Sequence, residues 1–158
     1  FSFYTRGMSF IDMAYLKKSD LKNGTITYRR RKTGQQLTVK WEKCMEDIIA
    51  KYRENTATRY LLPIITNPCS DERTQYRNAI CRINVALKEV AGLAGLNIPL
   101  TMHVARHCWA SVAKSKNIPL SVISEGMGHD SEETTRIYLA SLDTSVVDKA
   151  NSLILKDF

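Results

Sequence analysis

Residues 24–41 contain the pattern that most restricts the fold, two short alternating runs joined by a turn. The runs read GTITYRR and QLTVKW, and both combine period-two alternation with β-branched or aromatic residues. The connecting residues, RKTG, end at Gly34, and glycine readily adopts the positive φ that a tight turn requires. The sequence therefore predicts an antiparallel β-hairpin here.

Most of the remaining chain shows the three- and four-residue apolar spacing that is typical of helices. Helices are expected over residues 1–18, 42–54, 71–94, 101–114, 119–127, 131–140 and 143–155, with Ser70 and Thr101 as N-caps. No internal repeat, low-complexity tract or linker divides the sequence. We expect one mostly α domain that carries a small antiparallel β-hairpin or sheet.

The excess positive charge of the chain lies in one short segment. The 158 residues carry 23 Lys and Arg against 16 Asp and Glu, a formal net charge of +7. Residues 17–43 hold nine of the bases and two of the acids, and so account for the whole excess. Such clustering is typical of a face that binds a polyanion, although a solvated basic hairpin gives the same pattern.

Composition excludes several other classes of protein. The 44% hydrophobic and 25% charged residues are typical of a globular domain, and no apolar run approaches the roughly 18 residues of a membrane span. The first ten residues lack the features of a secretory signal, and the four cysteines are too sparse for a disulfide scaffold. We expect a reducing, cytoplasmic location. Because the sequence begins without Met inside a predicted helix, we also expect a fragment of a longer protein.

The residues that suggest chemistry lie in the C-terminal third. His103 and Arg106 are three residues apart on one predicted helix face, near the positive end of the helix, where an imidazole and a guanidinium suit a phosphate oxyanion. Gly128-His129 follows, with His129 lying 23 residues after Arg106. Tyr138 comes nine residues after His129 and is a candidate phenolic nucleophile.

The histidines also raise the alternative of a metal site. His103 and His107 are four residues apart on one predicted face, and with His129 they could bind zinc. The metalloprotease pattern requires Glu directly after the first His as general base, and Val104 stands there. No carboxylate or cysteine is suitably placed as a further ligand or base. We therefore expect no metal site and treat a zinc hydrolase as a distant alternative.

These residues resemble a known family. Residues 101–140 are similar to the C-terminal catalytic core of the tyrosine recombinases, also called phage-type integrases. They read TMHVARHCWASVAKSKNIPLSVISEGMGHDSEETTRIYLA. The family pattern H-x-x-R, L-G-H-x-x, T-x-x-Y is matched in order and spacing by His103, Arg106, Gly128-His129, Thr135 and Tyr138. Upstream, residues 6–39, RGMSFIDMAYLKKSDLKNGTITYRRRKTGQQLTV, resemble the family's first-arginine helix and the β-hairpin that follows it. This resemblance is strongest to the integrases of conjugative transposons. The resemblance implies a catalytic domain over residues 1–158, without the family's N-terminal core-binding and arm-binding domains.

The resemblance implies a role for each matching residue. Tyr138 would attack the scissile phosphate, form a 3′-phosphotyrosyl link and release a 5′-hydroxyl. Arg106 would grip the non-bridging oxygens, since guanidinium binds them bidentately. His103 would take or relay the tyrosine proton, and His129 would hydrogen-bond the phosphate. Lys32, at the hairpin tip, matches the general-acid lysine that protonates the departing oxygen. Because the link conserves the phosphodiester energy, no ATP, metal or other cofactor is implied.

One position departs from the family pattern T-G-L-R-x-x-E. Aligned on the flanking glycine and acid, the arginine falls on Ser9. Arg6, one helical turn away, is the candidate replacement, and a hairpin residue such as Arg30 or Arg31 is the alternative. Without a replacement, the missing charge would cost a few kcal/mol of transition-state stabilisation.

The implied partner is double-stranded DNA, and the implied function is site-specific recombination that integrates or excises a mobile element. The basic segment supplies the expected DNA contacts, namely Lys17, Lys18, Arg29, Arg30 and Arg31. The full-length protein would act as a homotetramer on DNA, with DNA-bending accessory proteins, in the bacterial nucleoid. Two alternatives stay open: DNA relaxation as in type IB topoisomerases, and a degenerate DNA-binding module that has lost catalysis.

Overall fold

The computed structural model describes residues 1–52 and 57–140. In chain order the elements are α1 (Phe10–Ala14), a 3-10 helix (Lys18–Asp20), β1 (Leu21–Lys22), β2 (Thr25–Arg29), β3 (Gln36–Lys40), α2 (Lys43–Ala50), α3 (Glu72–Leu93), α4 (Val104–Ser115), α5 (Leu120–Met127) and α6 (Glu132–Ala140). The expected mostly helical fold with one small antiparallel sheet is confirmed. The expected helix over 143–155 lies outside the described residues. Among the described helices, none has the length and apolar character needed to cross a membrane.

The sheet is built around the predicted hairpin. Strands β2 and β3 pair antiparallel from Thr25↔Lys40 to Arg29↔Gln36, and Gly34 in their connection has φ 72°. Strand β1 pairs with the other edge of β2, giving the order β1-β2-β3. The two-residue β1 was not predicted, because it is too short to show alternation.

Two apolar clusters flank the position of the site. The first packs the inner face of the sheet against α1, α2 and the loop after α2, and contains Met8, Met13, Leu16, Ile26, Tyr28, Leu37, Val39, Met45, Leu61 and Leu62. The second joins α4, α5 and α6 through Ala110, Ala113, Ile123, Met127 and Leu139. Each fully buried aliphatic side chain contributes about 1.5–3 kcal/mol, so the two clusters hold the hairpin and the C-terminal helices firmly.

The prediction of one helix over residues 1–18 is wrong. Arg6 and Gly7 have φ values of 59° and 73°, and this left-handed backbone cannot continue a helix. Helix α1 begins only after Ser9, whose side chain accepts a hydrogen bond from the backbone N–H of Asp12. The chain therefore turns sharply just before α1.

Both predicted N-caps are also wrong. Asp71 caps α3, since its Oδ2 accepts from the N–H of Thr74 at 2.7 Å. The N-cap of α4 is His103, because a preceding turn, closed by Val104 N–H donating to the Thr101 carbonyl at 3.0 Å, delays the start of the helix.

Candidate active site

Arg106 forms the centre of the candidate site. Its side chain is buried, Nη1 donates to the Gly7 carbonyl at 2.8 Å, and Nη2 donates to the Met127 carbonyl at 2.7 Å. Burial, followed by the charge of Arg30, lowers the pKa of Arg106, but a guanidinium stays protonated in proteins. The N-terminal turn and the end of α5 thus hold one buried cation in place.

Gly7 allows the turn before α1 to approach Arg106 closely. A Cβ at Gly7 would lie 2.9 Å from both Cα and Cγ of Arg106, and the backbone there has φ 73°. Both the conformation and the space therefore require glycine at this position.

His129 contacts Arg106 directly and is neutral at pH 7. Its Nε2 lies 3.1 Å from Nη2 of Arg106, and its Nδ1 lies 2.8 Å from Oγ1 of the fully buried Thr135. Arginine can only donate, so Nε2 accepts, and the neutral ring carries its proton on Nδ1 and donates it to Thr135. Burial and the charges of Arg106 and Arg30 lower the pKa of His129 to about 4.

The ring of Tyr138 lies among three imidazoles. The centroid of His107 is 5.0 Å from that of Tyr138 with an interplanar angle of 12°, a stacked contact. His129 and His103 present their edges at 5.5 Å and 6.4 Å. Burial raises the pKa of Tyr138 to about 12, although the charge of Arg106 acts in the opposite direction. At neutral pH the phenol is therefore protonated, and only transfer of its proton to an acceptor would make its oxygen a strong nucleophile.

His103 lies in the same cluster of rings, with its centroid 6.4 Å from that of Tyr138. Its ring meets that of His107 edge-on, with centroids 4.6 Å apart. Burial, His107, Arg106 and Lys32 all lower the pKa of His103, so the neutral, proton-accepting form is favoured. The structure thus brings together His103, Arg106, His129 and Tyr138, which the sequence singled out.

Arg30 turns inward from the end of β2 towards this cluster. Its side chain is buried, and Nη1 donates to the carbonyl of Gly128, the residue between Met127 and His129. A Cβ at Gly128 would lie 2.7 Å from Cδ of Arg30, so glycine is required here as well. The sequence contained the signal for this orientation, since Arg30 has the same parity as the inward-facing Ile26 and Tyr28.

Asp12 ties the hairpin to α1. Its buried carboxylate accepts from the backbone N–H of Arg31 at 2.8 Å through Oδ1, and from the hydroxyl of Ser9 at 2.6 Å through Oδ2. Ser9 also lines a cavity of about 280 Å³ together with His103 and Arg106. The position where the family pattern has arginine therefore opens towards the site but carries only a short side chain.

The two other charged candidates lie at the edge of the cluster. Lys32 is exposed at the hairpin turn, and its charge contributes to the lowered pKa values of both His103 and His129. Cδ of Arg6 lies 3.7 Å from the position that a Cβ at Gly126 would occupy, which places Arg6 against α5.

The predicted DNA-binding residues divide into two groups. Lys17, Arg29 and Arg31 line one cleft of about 350 Å³ between α1 and the sheet, and the guanidinium of Arg31 stacks 3.5 Å from the ring centroid of Tyr15. Lys18 instead donates to the Thr58 carbonyl at 2.8 Å, and Arg30 points into the site. In the part of the chain that the structure describes, no group of three or more His, Cys, Asp or Glu side chains could hold a metal ion.

Comparison with known protein families identifies a matching family. Residues 3–145 match the Phage integrase family. The chain belongs to the phage integrase family. None of the curated proteins compared with it matches.

Solved structures show the same fold as this phage integrase domain. XerA recombinase has a TM-score of 0.68 and 21% identity, covering 96% of this chain and 55% of its own. XerH recombinase, in a post-cleavage complex with palindromic difH substrate, has a TM-score of 0.62 and 20% identity, covering 95% and 44%. A lambda integrase dimer bound to a COC′ core site has a TM-score of 0.58 and 18% identity, covering 87% and 49%.

This likeness identifies the fold as that of tyrosine recombinase catalytic domains. The chain spans about half the length of these solved recombinases. The conjugative-transposon subtype, the cytoplasmic location and the expectation that residues 1–158 form one catalytic domain of a longer protein stay predictions.

Proposed function

We propose that this domain cleaves and rejoins duplex DNA at specific sites, using Tyr138 as the nucleophile. The observation that carries the proposal is a phenol that lies among imidazoles, one of which, His129, contacts the buried guanidinium of Arg106. Oη of Tyr138 bonds to phosphorus while the bond to the 5′ oxygen breaks, which leaves a 3′-phosphotyrosyl link and a free 5′-hydroxyl. Attack by that hydroxyl reverses the step and rejoins the strand, and exchange between two sites integrates or excises DNA.

Two proton transfers accompany the cleavage. Neutral His103 accepts the phenolic proton of Tyr138, whose raised pKa makes such an acceptor necessary at neutral pH. Lys32 donates a proton to the departing 5′ oxygen. This assignment is supported by the charge of Lys32, which contributes to lowering the pKa values of both His103 and His129 and so acts on two residues of the site.

Arg106 and Arg30 together stabilise the charge on the phosphate. Both guanidinium groups are buried, and they bind the adjacent carbonyls of Met127 and Gly128. Burying two like charges is unfavourable; the buried Asp12 carboxylate offsets part of this charge, and a phosphate would compensate the rest. We therefore assign Arg30, rather than Arg6, as the residue that replaces the arginine missing at Ser9.

Duplex DNA would approach from the side of the cleft that Lys17, Arg29 and Arg31 line. The stacked contact with Tyr15 holds the guanidinium of Arg31 in one orientation, which reduces the entropy lost on binding a phosphate. Phosphate contacts of this kind make affinity fall steeply with salt. Because the solved XerH and lambda integrase structures contain DNA, we extend that partner to this chain. Assembly as a tetramer on DNA with bending proteins stays a prediction from the family resemblance.

The test is a covalent-adduct assay with the full-length protein and its own attachment-site DNA, nicked just beyond the scissile phosphate. On a denaturing gel, wild type should give a protein–DNA adduct and Tyr138→Phe none. Arg30→Gln should lower the cleavage rate roughly 100-fold, as loss of one oxyanion donor does elsewhere. Arg6→Gln and the exposed control Arg29→Gln should stay within a few-fold of wild type at saturating DNA.

Other outcomes would redirect the proposal. An adduct that persists in Tyr138→Phe contradicts the assigned nucleophile, and a larger loss in Arg6→Gln than in Arg30→Gln returns the second charge to Arg6. Binding without any adduct favours the degenerate DNA-binding module. Relaxation of supercoiled DNA without strand exchange between two sites favours a topoisomerase-like activity.

A further inference from the structure

We infer that His107 is a positioning residue, whose imidazole fixes the plane of the Tyr138 ring relative to the phosphate-binding groups. This inference rests on the proposed function, because it assigns a role in presenting the proposed nucleophile. The sequence raised His107 only as a zinc ligand, and none of the proposed chemical steps uses it.

The ring geometry distinguishes His107 from the other two histidines around Tyr138. His107 lies flat against the phenol at an interplanar angle of 12°, whereas His103 and His129 meet it at 81° and 69°. Stacked and edge-on contacts are both favourable, but only the stack holds two ring planes nearly parallel, so a tilt of the phenol would break it. His107 is therefore the imidazole that defines the orientation of Tyr138.

The contact also joins two helices with different tasks. Helix α4 carries Arg106 and His107 as consecutive residues, while Tyr138 lies on α6. A contact between His107 and Tyr138 thus relates the nucleophile to the group that holds the phosphate. A misplacement of about 1 Å between reacting groups can lower a rate about 100-fold. By limiting such misplacement of Tyr138, the stack would raise the rate of cleavage.

The Nδ1 atom of His107 does not account for the presence of this residue. Its Nδ1 is buried and has no hydrogen-bond partner among the described residues. Burial and the charge of Arg106 lower its pKa, so the ring is neutral at physiological pH. A buried nitrogen without a partner is unfavourable, whereas the ring makes the stacked contact with Tyr138.

Two substitutions separate the ring from its nitrogens. His107→Phe keeps a flat aromatic ring, and His107→Leu keeps apolar volume but removes the ring. The matched control is Val112→Leu on an exposed position of the same helix. Thermal unfolding verifies that each variant folds, and DNA affinity is measured beside the rate of adduct formation.

The first readout needs no catalysis. In protein labelled at its tyrosine rings, the Tyr138 signal is assigned by its loss in Tyr138→Phe. The stacked ring above should shift it upfield in wild type and in His107→Phe, and the shift should be lost in His107→Leu. An unchanged Tyr138 signal in His107→Leu would overturn the inference, even if wild type formed no adduct and the proposed function itself failed.

The second readout is the cleavage rate at saturating DNA. His107→Leu should be about tenfold slower than wild type with unchanged DNA affinity, while His107→Phe should stay within threefold and keep the pH profile of wild type. Equal rates for His107→Leu and wild type would overturn the inference. So would equally slow Phe and Leu variants, which would show that an imidazole nitrogen rather than the ring plane is needed.

Discussion

Substituting Thr135 by valine tests how the site controls the proton on His129. In the structure Nε2 of His129 accepts from Arg106, so its proton lies on Nδ1 and is donated to Thr135. To hydrogen-bond a phosphate, His129 must carry a proton on Nε2 instead. The hydroxyl of Thr135 can donate as well as accept, so it supports both tautomers, whereas the methyl group of valine supports neither.

The geometry sets the size of the expected effect. Thr135 is fully buried, so Thr135→Val preserves shape but leaves Nδ1 of His129 without its partner at 2.8 Å. An unsatisfied buried polar group costs about 1–3 kcal/mol. For a domain of this size, each kcal/mol lowers Tm by about 2–4 °C. We expect a fall in Tm of about 6 °C and a roughly tenfold to 100-fold slower cleavage, since one phosphate contact is weakened.

The neighbouring residue supplies the matched control. Thr134 is exposed on the same helix, and its hydroxyl contacts only Ser131, at 3.0 Å, in the hydrogen bonds described. Thr134→Val should change stability by about 0.5 kcal/mol or less and leave cleavage unchanged. Thr135→Ser, which keeps the hydroxyl, should recover most of the cleavage rate.

Differential scanning calorimetry and single-turnover cleavage at saturating DNA measure the two effects. The reasoning about the tautomer is refuted if Thr135→Val cleaves as fast as wild type. Equal losses in Thr135→Val and Thr135→Ser would refute it too, because the hydroxyl would then be irrelevant.

Three further predictions follow from the same contacts. Gly7→Ala and Gly24→Ala both place alanine at a φ of 73°, which costs about 1–2 kcal/mol of folding stability each. Of the two new Cβ atoms, only the one at residue 7 meets other atoms within 4 Å, so calorimetry should show a further loss of about 1–3 kcal/mol for Gly7→Ala. Cleavage should be impaired in Gly7→Ala and unchanged in Gly24→Ala. The pKa of His129 is about 4 in the folded protein and about 6.5 in the unfolded chain, so the unfolded state binds the proton more readily. The free energy of unfolding should therefore fall as pH is lowered from about 6.5 towards 4. Denaturant titrations should show a shallower fall for His129→Gln, and an equal fall in both proteins would contradict the lowered pKa of His129. Asp12→Asn puts an NH₂ group where two donors now meet the carboxylate, so hydrogen exchange at the N–H of Arg31 should quicken. Asp20→Asn, at a half-buried carboxylate that accepts from the N–H of Lys17 instead, should leave that exchange unchanged.

The elements with long local patterns were predictable from the sequence. Helices α5 and α6 begin and end within one residue of the expected bounds, since apolar spacing, Pro119 and the left-handed Gly128 mark them. The hairpin followed from alternation and from Gly34. These signals are local, so one sequence is enough to interpret them.

The details that complete the site depend on contacts between distant segments. The turn at Arg6 and Gly7 packs against Arg106, which lies about a hundred residues later in the chain. No local sequence pattern predicts the left-handed backbone conformation of Arg6. The stack of His107 on Tyr138 likewise joins two helices. The inward orientation of Arg30 is different: it was not predicted, but the alternation of β2 would have been enough to predict it.

The central claim, that Tyr138 becomes covalently linked to DNA, is tested most directly by mass spectrometry. Adduct trapped on nicked attachment-site DNA is digested with nuclease and protease, and the peptide that retains a nucleotide phosphate is sequenced. The account predicts the modification on Tyr138 alone, among the seven tyrosines of the chain, together with a free 5′-hydroxyl on the released strand. A nucleotide on any other residue, or a 5′-phosphate on the released strand, would contradict it.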